Sequence, residues 1–249
     1  MHLKRVTLFP EKYPTTDHYP FNQPIFHQTR RLEFDTAVTF FVGENGTGKS
    51  TLLEAICHKS GIHIWRDVER TRFEVNPYED LLYRYLAVDW TDGRVPGSFF
   101  GSNVFNYFVQ SLDEWASADP AMLDYFGGKS LVTQSHGQSL LSFFRARYRL
   151  KGLYLLDEPE TALSPKSQLA LVKILRDMGR AGHAQFIVAT HSPILLACPD
   201  ATIYSFDHNP VQSIRYEETD HYRLYKGFMD NRHSFLAEAE PDPPDLTNS

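Results

Sequence analysis

The chain has 249 residues, enough to bury a core in one large domain or two small ones, and its 42% hydrophobic and 22% charged content is that of a soluble globular protein. The formal net charge of -6 excludes a chain that is basic in bulk, although a local basic strip stays open. Two cysteines without partner spacing, Cys57 and Cys198, make neither a disulfide framework nor a zinc site, so a reduced, cytoplasmic setting is expected.

The N-terminal stretch "MHLKRVTLFPEKYP" lacks the continuous apolar core of a signal peptide. "PEKYPTTDHYPFNQP" reads as irregular chain. "AVTFFV" (37–42) predicts a buried strand, and "STLLEAICHK" (50–59) has apolar residues at helical spacing. Residues 60–100 are mixed and carry no assignment. "NVFNYFVQSLDEW" (103–115) predicts an amphipathic helix, and "GLYLLD" (152–157) a second buried strand. "SPKSQLALVKILRDMGRAG" predicts a helix with Ser164 as N-cap, Pro165 at its first position and Gly182 as its stop. "AQFIVAT" (184–190) and "ATIYSF" (201–206) predict two more strands. The tail from 238 to 249, "EPDPPDLTNS" at its end, is acidic and proline-rich and is expected to be disordered. No apolar run approaches the ~18 residues that span a bilayer, so no membrane insertion is expected. Buried strands alternating with helices imply an α/β fold with a mostly parallel sheet, whose ligands sit at the carboxyl ends of the strands.

"GENGTGKST" (43–51) lies between the first strand and the helix that follows, and matches G-x-x-x-x-G-K-[ST] at Gly43, Gly48, Lys49 and Ser50. Glycines let such a loop fold into a nest of N–H groups aimed at phosphate oxygens, and the helix N-terminus adds partial positive charge. Asn45, Gly46, Thr47 and Thr51 complete the expected nucleotide site. Lys49 is expected to reach the β- and γ-phosphates, and the Ser50 hydroxyl to ligate Mg2+.

Asp157 and Glu158 close the strand "GLYLLD". Adjacent carboxylates beside a buried run need a cation facing them, and the metal held by Ser50 is the natural one. Asp157 is expected to hold the metal and Glu158 to orient or deprotonate an attacking water. Glu160 reads as a solvated loop carboxylate. His191 follows the third strand and precedes Ser192, an N-cap, and Pro193. Its imidazole either hydrogen-bonds a γ-phosphate or water, or caps a turn. The other ten histidines show no metal-ligand spacing and read as surface residues.

"TQSHGQSLLSFF" (133–144) sets Ser135 and His136 side by side. It lacks the strand–turn–helix frame of a nucleophile elbow, and neighbouring side chains on a helix point apart, so it reads as a serine-capped helix start.

The order of P-loop, S-x-G-Q, D-E after an apolar strand and a strand-terminal histidine resembles ABC-type ATPases. "QSHGQ" looks like their LSGGQ signature with His136 in place of one glycine. "GENGTGKST", "SHGQS", "YLLDEPETALSP" and "ATHSPILLA" together are similar to compact stand-alone bacterial predicted ATPases, which are akin to the heads of SMC and double-strand-break repair ATPases. The resemblance implies an ABC-type head with an antiparallel N-terminal β region and a helical subdomain, roughly 100–150, carrying the signature, all within one domain over 1–237. It implies a homodimer that sandwiches two ATP molecules, with Ser135, Gly137 and Gln138 facing the ATP of the partner's P-loop. Those relatives carry long coiled-coil arms between P-loop and signature; here 135 − 50 = 85 positions separate Ser50 from Ser135, with no sustained heptads.

Four departures stand out. Ser164 in "TALS" replaces the aspartate of the D-loop. No Q-loop glutamine stands in "SFFGSNVFNYF", where Asn103 is the nearest substitute. Gly101 and Ser102 stand where relatives often carry a charge. His136 brings a group that titrates near neutral pH into the signature.

The resemblance implies a soluble ATPase that dimerises on Mg-ATP and opens on hydrolysis to switch a partner, either DNA or a nuclease-type effector in repair or phage defence. "RARYRLK" (145–151) offers a local basic cue, better explained as cations complementing a helix C-terminus. The alternatives are the ATP-binding subunit of a membrane transporter, disfavoured by the missing Q-loop glutamine, and a regulatory module that binds ATP without hydrolysing it, disfavoured by Glu158. A P-loop kinase would need neither "SHGQ" nor His191.

Overall fold

The computed structural model describes residues 1–64, 76–101 and 136–238, the side chains of residues 136, 237 and 238 apart. The predicted helix 103–115, Asn103, Ser135, most of the expected helical subdomain and the tail from 239 lie outside the described residues.

In chain order the strands are β1 (Leu3–Leu8), β2 (Arg31–Glu33), β3 (Val38–Val42), β4 (Leu86–Trp90), β5 (Gly97–Gly101), β6 (Gly152–Asp157), β7 (Ala184–Ala189), β8 (Thr202–Ser205) and β9 (Gln212–Ile214). The helices are α1 (Pro24–Gln28), α2 (Lys49–Lys59), α3 (His136–Arg147), α4 (Pro165–Arg180), α5 (Pro193–Leu196), α6 (Asp220–Asp230) and α7 (Arg232–Glu238). The central sheet runs β5-β6-β7-β3-β8-β9 and is parallel except for the β8–β9 pair. A smaller antiparallel sheet runs β2-β1-β4. The fold is thus the α/β arrangement that the buried runs predict, with the antiparallel N-terminal region that the resemblance implies.

The alternation of side chains along each buried strand divides the core in two. On β6, Tyr154 and Leu156 join the cluster beneath α3, α4 and α5, whereas Leu153 and Leu155 join the cluster facing α2 and the antiparallel sheet. On β7, Phe186 and Val188 face the first side, Ile187 and Ala189 the second. One polar side chain ties the two sheets together. Gln185, fully buried on β7, accepts from the His2 and Leu3 backbone N–H groups at 2.8 and 2.7 Å through Oε1, and its amide donates to the Leu3 carbonyl at 2.9 Å. Both bonds to that amide oxygen come from the start of the chain, at His2 and the first residue of β1, so the buried carbonyl is satisfied.

α4 begins at Pro165 with Ser164 as N-cap, whose hydroxyl accepts from the Ser167 N–H, and Gly182 follows its end at φ 78°. That matches the predicted start and stop. Within 60–100, which the pattern leaves unassigned, stand β4 and β5; both are edge strands and only partly buried. Among the described residues no helix is long and apolar enough to cross a membrane.

Candidate nucleotide site

β3, β6, β7 and β8 are adjacent or nearly so in the sheet, and all four deliver their carboxyl ends to the same edge. The loop from Gly43 to Gly48 leaves β3 and enters α2. Its last residue, Gly48, is the helix N-cap at φ 98°, and a Cβ there would lie 2.7 Å from the Phe26 ring. Only glycine meets both demands. Thr47 donates its hydroxyl to the Glu44 carbonyl at 2.9 Å, which tightens the turn. Asn45 and Gly46 are exposed at its tip, and Thr51, half-buried on α2, is hydrogen-bonded to the Tyr19 hydroxyl.

Lys49 is buried and folds over the loop, donating to the carbonyls of Gly43 and Glu44 at 2.6 and 2.7 Å. Burial pulls its ammonium below the ordinary lysine range; the carboxylates of Asp207, Glu158, Asp157 and Glu44 push the other way. Asp207, just beyond β8, also accepts from the Glu44 backbone N–H at 2.8 Å, so it braces the loop from the far side.

Ser50 donates its hydroxyl to Asp157 Oδ1 at 2.9 Å. This contact joins two segments 107 residues apart. Burial raises the Asp157 carboxyl to about 6; the Ser50 hydrogen bond opposes that and Glu158 adds to it. A hydroxyl and a buried carboxylate side by side are hard oxygen donors short of a cation, so the pair fits Mg2+.

Glu158 is the first residue after β6 and sits at φ 45°, ψ 53°, a left-handed conformation rare outside glycine. Its N–H is held by the Ala189 carbonyl at the end of β7 at 2.9 Å. The strained turn aims its carboxylate at His191, with Oε1 3.6 Å from Nε2. Burial, with Lys49 and His221 nearby, holds the His191 imidazole below its ordinary titration range, so the ring is neutral at pH 7.

Two expectations are corrected here. Glu160 is not a solvated loop carboxylate: it turns inward, accepts from the His191 backbone N–H at 2.6 Å, and burial raises its carboxyl. The cause is the helical turn Pro159–Ala162, which swings residue 160 back under the β7–α5 junction. Nor are the remaining histidines all surface residues. His2 is buried, the ring of His183 bonds the Tyr148 carbonyl at 2.9 Å, and His221 Nε2 lies 3.1 Å from His191 Nδ1.

Ser192 caps α5, accepting from Ile194 and Leu195 N–H at 3.1 and 3.2 Å. Gly137 and Gln138 lie in the first turn of α3, which packs on the turn after Glu158; a Cβ on Gly137 would meet Ser167 and the Ala162 carbonyl at 3.4 and 3.6 Å, and Gln138 is exposed. Among the described residues neither hydrogen-bonds the phosphate loop. The structure therefore brings Gly43 to Ser50, Asp157, Glu158 and His191 into one constellation. Of the "RARYRLK" cations, Arg147 donates to the Gly97 carbonyl at 3.3 Å.

Sequence reasoning missed Asp207, Glu160 and His221. Asp207 was findable, because it stands one residue past the predicted strand 201–206. His221 lies 30 residues beyond His191 with no local signal.

Two family models fall on the same segments. A family model for an AAA domain matches residues 23–58, and one described as "AAA domain, putative AbiEii toxin, Type IV TA system" matches residues 138–197. A 43-residue stretch is 49% identical to DNA replication and repair protein RecF of Leptospira interrogans, covering 17% of this chain and 12% of that protein's length. The high-affinity branched-chain amino acid transport ATP-binding protein BraG of Pseudomonas aeruginosa is 25% identical over 177 residues, 66% of this chain and 74% of the relative. Among solved structures, the SmcHead bound to the C-winged helix domain of ScpA superposes with a TM-score of 0.55 at 14% identity, covering 88% of this chain and 99% of that one. Phosphate loop, sheet order and these likenesses agree, and the chain is a P-loop protein with the fold of the ABC-type ATPases.

Proposed function

We propose that the chain binds Mg-ATP, closes head-to-tail with a second copy around two ATP molecules, and hydrolyses them to switch a partner in the cytoplasm. The juxtaposition of Ser50–Asp157 and Glu158–His191 at the mouth of one phosphate loop carries this reading. The N–H groups of residues 43–50 cradle the phosphates, and Lys49 exchanges its two loop carbonyls for β- and γ-phosphate oxygens. Ser50 and Asp157 would hold Mg2+, which would supply positive charge to offset that of the phosphates. Glu158 orients the attacking water and takes its proton, and neutral His191 donates a hydrogen bond to the γ-phosphate side.

The signature residues support the dimer. Gln138 is exposed, and among the described residues neither it nor Gly137 hydrogen-bonds the protomer's own phosphate loop, which leaves both open to a partner's ATP. Ser135 is assigned beside them by the motif. The likeness to a DNA replication and repair protein, RecF, and to a Type IV TA system domain favours DNA or a defence effector as the partner. RecF is matched over 12% of its length, so its role is carried over as part of this proposal only.

Phosphate release by wild type and Glu158→Gln tests the reading. A fall of at least about a hundredfold is expected, with the variant trapped by ATP and Mg2+ as a dimer. Equal release from both proteins would remove Glu158 from its role. ATP binding without release by wild type would favour the regulatory module instead. The BraG match favours one further reading, a transporter's ATP-binding subunit; recovery of an integral membrane protein on pull-down would move the assignment there.

A further inference from the structure

His191 is held from two sides. Glu160 Oε1 fixes its backbone N–H at 2.6 Å, and His221 Nε2 meets its ring Nδ1 at 3.1 Å. His221 stands in the first turn of α6, and that turn is anchored where it meets α5. Thr219 caps α6 by accepting from the Tyr222 N–H at 3.2 Å and donates its own hydroxyl to the Tyr216 carbonyl at 2.8 Å. Tyr216 donates its hydroxyl to the carbonyl of Pro193, two residues beyond His191, at 3.0 Å. The His221 ring is thus presented to His191 by a fixed frame.

We infer that His221 is a positioning residue that selects the tautomer of His191. A neutral imidazole carries one proton, and the group bonded to one nitrogen decides which nitrogen holds it. Glu158 Oε1 stands 3.6 Å from His191 Nε2. A bare lone pair there would face a carboxylate, so the proton belongs on Nε2, the nitrogen on the nucleotide side. Nδ1 must then accept, and the group able to donate to it is the Nε2–H of His221. His221 in turn leaves its Nδ1 as a bare acceptor; among the described residues neither that atom nor His191 Nε2 has a hydrogen-bond partner. Either assignment leaves one ring N–H and one ring lone pair unbonded, so the carboxylate of Glu158 separates them: it attracts an N–H on His191 Nε2 and repels a lone pair there. Reversing it would strand the lone pair of His191 against Glu158.

The catalytic use of this tautomer rests on the proposed ATPase reading; the tautomer itself does not. The test therefore has two arms. Histidine 15N NMR of the full chain, with the His191 signals assigned by their loss in His191→Gln, should show His191 protonated on Nε2 and bare on Nδ1. In His221→Ala the ring should become a mixture of tautomers. In His221→Gln, whose side-chain amide can donate from nearly the same point, the wild-type signature should return. Steady-state kinetics should show kcat reduced about ten- to a hundredfold in His221→Ala, restored in large part by His221→Gln, with little change in KM for ATP. A wild-type His191 protonated on Nδ1, or a ring unmoved by His221→Ala, overturns the inference. Should His221→Ala fail to fold, the wild-type tautomer and the glutamine variant still decide. If the NMR result holds while no protein turns over ATP, the inference stands and the ATPase reading falls.

Discussion

Asp157 is under two demands that oppose each other. As the end of a buried strand it is taken out of water, and as a metal ligand it must be ionised. Burial resolves the conflict against ionisation and lifts its carboxyl from the ordinary 3.8 to about 6. The folded chain therefore holds this proton more tightly than the unfolded one. The associated stability is fully present below pH 3.8 and is lost as pH rises through 6. Above that, the buried charge costs about 3 kcal/mol, at 1.36 kcal/mol per unit. Asp157→Asn removes the charge but keeps an acceptor for Ser50. Without nucleotide or metal it should be more stable than wild type at pH 7.5, by up to about 3 kcal/mol, with the gain shrinking toward zero near pH 4. Urea melts at the two pH values check this; an asparagine variant weaker at pH 7.5 would show that the Ser50 contact outweighs burial. The same balance explains what was legible at this scale. Lys49, Ser50, Asp157 and Glu158 are readable because motif spacing and strand ends are local. Glu160 and His221 act through contacts made only after β6, β7 and α6 have packed, so no window of sequence holds both partners.

At the scale of elements, Ser164 shows how a departure from the family pattern can be absorbed. It stands where the D-loop of relatives has aspartate, and in this chain its hydroxyl caps α4. Serine and aspartate are both strong N-caps, so the helix start survives the exchange, whatever becomes of signalling across a dimer. Ser164→Ala should lower stability by about 1 kcal/mol, and Ser164→Asp should hold it level or raise it slightly through the helix dipole. Thermal melts of the three proteins measure both effects; an alanine variant as stable as wild type would mean that the cap is replaced by water. β6, β7 and α4 were readable because each is a long apolar or amphipathic run bounded by caps. β4 and β5 were not: both lie at sheet edges, where an exposed residue such as Asp89 and a half-buried one such as Ser98 blur the period. β1 and β2 entered the expectation through resemblance alone, since their pairing is antiparallel across a break of more than 20 residues.

For the whole molecule, the decisive question is whether one chain holds a complete site. The phosphate loop and the signature helix sit on one protomer, yet among the described residues Gly137 and Gln138 make no hydrogen bond to that loop. A head-to-tail dimer would build each site from the loop of one copy and the signature of the other. This arrangement predicts rescue between two inactive proteins. Lys49→Ala has no working loop, and Ser135→Arg blocks the signature; each alone should release phosphate at a background rate. In a mixed dimer, one site joins both defects and the other joins an intact loop to an intact signature. Random pairing of equal amounts makes half the dimers mixed, each with one of two sites whole, so the mixture should recover about a quarter of wild-type turnover if the sites act independently. Prior capture of either variant through a tag should then retain the other only with ATP and Mg2+ present. A site complete within one protomer and using its own signature would give no recovery at any mixing ratio; one that does without the signature would leave Ser135→Arg working at the wild-type rate by itself, even when diluted to a monomer.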